Sequence, residues 1–227
     1  MANRDFPQIK APKYDYFQLP DGDPKINTAI DEYLHHKDIA ARRLWFNTAV
    51  MSMGNIDVVD STTLIVTDMV HHIIQYNRDD EGIAPKDRQP IKLYINSPGG
   101  ETFEGFSLID AIMISDTPVY TYNVGLCASM GFLIYISGKK RFTLPHGVFL
   151  HHDGHNGGWD TTSKFHDTAD FDKYYNTEVV RNHVLSQTQI TPKDYDEHLR
   201  VEWYMLPEEA LRLGVTHTIA TSMSDLL

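Results

Sequence analysis

From residue 43 onward, apolar positions recur with two alternating periods. Leu44-Trp45-Phe46 is a short apolar run that predicts a strand, and Ile91-Lys92-Leu93-Tyr94-Ile95 alternates with period two and predicts a second. Between them Leu64, Val66, Met69, Ile73 and Ile74 fall at helical spacing, so a helix is expected over 61–76 with Ser61 or Thr62 as its N-cap. A further helix from Thr102 is expected to bury Phe103, Phe106, Ile109, Ile112 and Met113. A strand over 119–124 then runs through small residues into another apolar helix. Short strands over 141–144 and 147–150 follow, then a long polar helix over 160–187. Pro192 opens one more helix and the last spans 207–213, closed by Gly214. Repeated strand–helix units predict an α/β fold with a largely parallel sheet covered by helices.

The first forty residues read differently. Pro7, Pro12, Pro20 and Pro24 punctuate aromatic and charged residues, which predicts an extended arm, followed by one helix over 26–41 with a thin apolar face at Ile30 and Leu34. The organisation expected is therefore an N-terminal extension over 1–42 and one domain over 43–227. A net charge of −11 repels phosphate backbones and anionic lipid, so neither nucleic acid nor a membrane is an expected partner. Cys127 is the sole cysteine, which rules out an internal disulfide and suits a reducing compartment. No apolar run is long enough to span a bilayer, and the amino terminus lacks an apolar signal core. A soluble cytoplasmic protein is the expectation.

Two turns carry candidate chemistry. After the strand ending at Asn96-Ser97, Pro98 blocks further pairing, and Gly99 and Gly100 permit backbone conformations that turn amides toward a ligand. Such a turn could hold an oxyanion or a phosphate, or have no role beyond turning the chain. The Lys-Ser/Thr that completes a phosphate loop is missing. At the second turn Gly125, Cys127, Ala128 and Gly131 crowd around Ser129. Small neighbours let a serine at a helix start stand exposed, as a nucleophile or as an N-cap. With Cys127 where the first glycine would stand, this is not the G-x-S-x-G elbow. His151, His152, His155 and Asp153 are compatible with zinc or nickel, but without cysteine support no metal or cofactor is expected.

Ile95-Asn96-Ser97-Pro98-Gly99-Gly100 followed by Ala128-Ser129-Met130-Gly131 resembles the ClpP family, the proteolytic subunits of Clp proteases. Lys140-Arg141-Phe142-Thr143-Leu144-Pro145 and then Val148-Phe149-Leu150-His151 look like the family segment that ends in its catalytic histidine. The polar helix from Asp160 resembles the family's handle helix, and Pro207-Glu208-Glu209-Ala210 through Gly214 its closing helix. The likeness covers about 43–220 and implies a ClpP/crotonase-like α/β fold with a protruding handle over about 160–187. It implies a serine endopeptidase with Ser129 as nucleophile, His151 as general base and Glu202 as acid, and with the amides of Gly100 and Met130 as oxyanion hole. It also implies peptide substrates, stacked heptameric rings (a tetradecamer) and an AAA+ ATPase unfoldase as partner.

The chain departs from the family pattern at His152, where glutamine or asparagine is usual, and at Glu202, where aspartate is usual. Neighbours on a strand face opposite ways, so only one of His151 and His152 can reach Ser129, and aligning on Val148-Phe149-Leu150 favours His151. Asp194 and Asp196 are rival acids. The leader before Arg43 is also longer than the family's usual terminus. Two other functions fit parts of the pattern: a catalytically impaired structural subunit of a hetero-oligomer, suggested by these departures, and a crotonase-type acyl-CoA enzyme sharing the paired-amide oxyanion hole.

Overall fold

The computed structural model describes residues 28–47, 58–154 and 161–227. The chain divides after Lys37, and the unit beginning at Asp38 holds the whole sheet. Most of the expected arm lies outside the described residues; the helix expected over 26–41 is seen as α1 (Thr28–Ala40).

Strand and helix alternate as the periodicity predicts. β1 (Arg43–Asn47), α2 (Val58–Asp79), β2 (Ile91–Ser97), α3 (Thr102–Ile114), β3 (Val119–Ala128), α4 (Met130–Ile136) and β4 (Lys140–Thr143) form the first half. β5 (Val148–His151), α5 (Thr162–Tyr175), α6 (Arg181–Gln187), α7 (Pro192–His198), β6 (Trp203–Met205), α8 (Pro207–Arg212) and β7 (Thr218–Ile219) complete it. The described sheet runs β1-β2-β3-β4-β7, all parallel, with β5 parallel to β3 and β6 antiparallel to β5. This is the expected α/β architecture. Among the described residues no helix is long and apolar enough to cross a membrane.

Three local expectations change. α2 begins at Val58, so Ser61 and Thr62 lie inside the helix rather than capping it. On α3, Phe106, Ile109 and Ile112 are buried, but Phe103 and Met113 are exposed. The long polar helix is α5 and α6 joined by a π-helical turn at Asn176–Val180, which inserts extra backbone just where the helix passes the candidate site.

The core lies between sheet and helices. Ile91, Leu93 and Ile95 of β2 are fully buried, as are Phe132, Ile134 and Ile136 of α4. Each such side chain contributes on the order of 1.5–3 kcal/mol through removal from water. In-register pairing also lines up Trp45, Tyr94, Tyr122 and Phe142 across β1 to β4, with successive rings stacked 4.5, 4.8 and 4.9 Å apart.

A bulge in β3 decides where the site forms. The β2–β3 register jumps from Ile95↔Asn123 to Ser97↔Cys127, so β3 carries two extra residues there. Side-chain amides fill the gap in the ladder: Asn123 Oδ1 accepts from the Gly125 amide at 3.0 Å, and Asn96 Oδ1 from the Leu126 amide at 3.1 Å. Below the bulge β3 pairs with β4; above it, with β5. The bend thereby brings the end of β5 beside the end of β3.

The opposite edge of the sheet, where strands begin, is held by two arginines, one partly and one fully buried. Arg42 grips Asp80 through two bonds of 2.7 and 2.6 Å, and Thr117 donates to the same carboxylate at 2.7 Å. These partners hold the Asp80 carboxyl below its usual range. Arg141 is buried and donates to the carbonyls of Ile136 (2.5 Å), Gln187 (2.7 Å) and Gly214 (2.8 Å). These carbonyls end α4, end α6 and follow α8. Carbonyls at helix ends lack intrahelical partners and carry partial negative charge, which offsets the buried guanidinium.

Candidate active site

Ser129 sits between β3 and α4 with φ 53° and ψ −121°. A non-glycine residue there carries a strain of roughly 1–3 kcal/mol, and such strain concentrates at functional sites. The Ser129 amide donates to the Leu150 carbonyl at 2.9 Å, which ties the turn to β5. Ser129 makes no side-chain capping bond to α4, so the N-cap role is not the one it plays.

The glycine turn packs directly on this serine. At Gly99 (φ 108°) an added Cβ would fall 2.6 Å from Ser129 Cβ and 3.0 Å from the Met130 nitrogen, so glycine is required on both conformational and steric grounds. The Gly99 amide is already engaged, donating to Ser97 Oγ at 3.1 Å. Gly100 instead lines the cleft with Ser129. The Met130 amide is the first of α4 and adjoins Ser129 in sequence.

That cleft has a volume of about 420 Å³ and is lined by Gly100, Phe103, Ser129, His152, Asp153 and Tyr175, among others. A larger groove of about 700 Å³ between α2 and α3 is lined by aliphatic residues such as Ile73, Ile74 and Ile114 and contains no histidine.

The structure sets the two adjacent histidines in different surroundings. His151 ends β5 on the same face as Phe149, turned into the core. It packs between Phe132 and Tyr195, at ring distances of 5.3 and 5.1 Å, and its Nε2 is buried without a hydrogen-bond partner. Burial, with the neighbouring His152 adding to it, lowers its pKa to about 4. His151 does not line the cleft; the next residue, His152, faces the opposite way and does.

His152 also meets the expected acid. β6 pairs antiparallel with β5 in the register Phe149↔Met205, Leu150↔Tyr204, His151↔Trp203. One further step sets residue 152 opposite residue 202, and His152 Nδ1 lies 3.3 Å from Glu202 Oε1. The His152 side chain is largely covered, at 13% exposure, while Glu202 remains 48% exposed. The two departures from the family pattern, His152 and Glu202, thus lie beside each other. Neither rival acid shares this place: Asp194 closes the capping box of α7 with Thr191, and Asp196 pairs with Arg181 at 3.1 Å.

The other candidates disperse. His151 and His152 point to opposite sides of one strand, and His155 lies outside the described residues. Cys127 is fully buried and desolvation raises its pKa well above the usual thiol value, so it is a packed side chain rather than a nucleophile. Sequence reasoning missed β6, because Trp203, Tyr204 and Met205 are all apolar or aromatic and their buried–exposed–buried alternation emerges only in the fold.

Comparison with known proteins agrees with this fold. The family model for Clp protease matches residues 82–223. The chain is 31% identical over 150 residues to ATP-dependent Clp protease proteolytic subunit 2 of Thermobifida fusca, covering 63% of this chain and 72% of that protein. It is 28% identical over 142 residues to the subunit 2 of Treponema pallidum, covering 61% and 70%. It is 32% identical over 130 residues to the proteolytic subunit of Deinococcus radiodurans, covering 56% and 63%. The chain belongs to the Clp protease family, a family of peptidases.

Proposed function

We propose that this chain is a serine-type proteolytic subunit in which Ser129 is the nucleophile, His152 the general base and Glu202 the acid that orients it. The observation that carries the reading is the strained Ser129 on the wall of the cleft that His152 also lines, with Glu202 3.3 Å behind His152. Glu202 accepts from Nδ1–H and thereby leaves Nε2 as the basic nitrogen. Ser129 Oγ attacks the scissile carbonyl carbon while its proton passes to His152. The amides of Gly100 and Met130 donate to the resulting oxyanion, each worth about 2.7–4 kcal/mol of barrier. The tetrahedral intermediate collapses as His152 returns the proton to the leaving amine, and water then hydrolyses the acyl-enzyme by the same route in reverse.

The reading extends to assembly. α5 buries none of its residues and exposes Phe165, Phe171 and Tyr174, a pattern that supports packing of the handle against other copies in stacked rings. Its relatives bear the name ATP-dependent Clp protease proteolytic subunit, and an ATPase unfoldase delivering unfolded chains is the corresponding partner here. The single buried cysteine fits a cytoplasmic setting.

A fluorophosphonate probe tests the chemistry. Purified wild type, run through size exclusion to isolate its assembled form, is expected to be labelled on Ser129, and Ser129→Ala to take up none. An unlabelled wild-type assembly, or label that persists in Ser129→Ala, contradicts the proposal.

A further inference from the structure

Nothing in the catalytic chemistry accounts for the charge of the cleft. Among the described residues, its carboxylate lining is Glu101, Asp153 and Asp172, with no lysine or arginine in the lining. Glu101 and Asp153 are exposed, one directly after Gly100 and the other directly after His152, so they flank the reacting centre from both sides. Asp172 lies one helical turn before Tyr175 on α5 and shares its face.

The same cleft has an aromatic wall. Phe103, 62% exposed, meets Tyr175 edge-on at 5.6 Å and Phe171 at 6.3 Å. Tyr175 is braced from behind by Phe106 at 5.5 Å. Phe103 thus explains its departure from the expected buried face of α3: it stands out of the core to line this cleft. Asn176, in the π-helical turn, donates to the Asp153 carbonyl at 3.5 Å and links the handle helix to the loop after His152.

An aromatic surface edged by carboxylates suits one kind of side chain. A lysine or arginine lays its aliphatic stem on the rings and carries its charge to the rim, where both ring faces and carboxylates attract it. A purely apolar side chain gains only the wall, and an acidic one is repelled. We infer that the cleft selects peptides with a lysine or arginine beside the scissile bond and rejects those with glutamate there. This rests on the assignment of the cleft as the peptidase site. The overall charge of −11 acts in the same direction by drawing cationic chains in.

The test uses the assembled wild-type protein and internally quenched peptides that differ at one residue beside the cleaved bond: arginine, lysine, norleucine, glutamine or glutamate. The expected order of kcat/KM places arginine and lysine above norleucine and glutamine, and glutamate last. The span from arginine to glutamate should be roughly tenfold to a hundredfold at low salt and shrink in 0.5 M salt. The double variant Glu101→Lys, Asp153→Lys should reverse the order. A flat series, a preference for norleucine or glutamate over arginine, or an order unmoved in the double variant overturns the inference. Fluorophosphonate labelling of the same wild-type preparation separates the two levels. Labelled Ser129 with a flat peptide series defeats the charge selection alone, whereas an unlabelled protein defeats the peptidase assignment beneath it.

Discussion

The two edges of the sheet are built on opposite principles. Where strands begin, Arg42 and Arg141 are each held by several acceptors: a carboxylate shared with Thr117 in one case, three backbone carbonyls at or just beyond helix ends in the other. Where β2 and β3 end, the backbone is strained at Ser129 and opened by Gly99 and Gly100. The parallel arrangement explains the polarity. Helices that cover a parallel sheet run back against it, so their carbonyl ends gather at the strand starts and their amide ends at the strand finishes. One edge collects paired arginines and stability; the other gathers the amide ends of helices beside Ser129. The strain at Ser129 is tolerable because the clamped edge over-determines the fold beneath it.

The comparison breaks most visibly at the reactive edge. Ser129→Ala should lower peptide hydrolysis by about 10⁶-fold, as loss of a triad nucleophile does, while leaving thermal unfolding close to wild type, because alanine keeps the Cβ and with it the strained backbone; turnover and calorimetry on one preparation check both. Glu202→Gln should cost less, roughly 10²–10⁴-fold in kcat, because the amide can favour the wrong imidazole tautomer but leaves the nucleophile and its amides in place. Its pH–rate profile is the accompanying measurement.

At the clamped edge the sign of the effect reverses, with stability lost first. Arg141→Met removes the donor to three helix-end carbonyls and should destabilise by about 3–5 kcal/mol, read by chemical denaturation. Labelling of Ser129 in the fraction that remains folded should stay near wild type, which separates this clamp from the site.

The smallest effect concerns His151. Its pKa is depressed to about 4 from an ordinary 6.5, so the unfolded chain takes up the proton first as pH falls. The stability that neutral His151 contributes is complete above about pH 6.5 and lost progressively toward pH 4, reaching about 3 kcal/mol. His151→Phe should flatten this part of the stability–pH curve. Unchanged acid sensitivity in that variant would place the titration elsewhere.

Much of the fold was legible in the residues, and the exchange of His151 for His152 in the proposed site has a clear cause. The glycine turn and Ser129 announce themselves because their chemistry needs small residues in a row, and the structure packs Gly99 against Ser129 Cβ. The histidine does not, because Val148, Phe149 and Leu150 are all apolar and hide which face of β5 is the core. Only pairing on both sides of the strand, to β3 and to β6, turns Phe149 and His151 inward and His152 out. Glu202 is expected from the resemblance alone, and its place beside His152 is not legible because Trp203-Tyr204-Met205 shows no alternation; the antiparallel pairing of β6 sets 202 opposite 152. The N-caps expected at Ser61 and Thr62 failed because α2 starts a turn earlier than its apolar stripe. Phe103 and Met113 were assigned to the core by helical spacing alone, although α3 turns both outward.

The central claim is that His152, not its buried neighbour, activates Ser129. Its most direct test is the rate of fluorophosphonate labelling of Ser129 in His152→Gln and in His151→Phe, each confirmed as folded by calorimetry. The account predicts that labelling collapses in His152→Gln and stays within a few fold of wild type in His151→Phe. Labelling that survives in His152→Gln and vanishes in folded His151→Phe would contradict it.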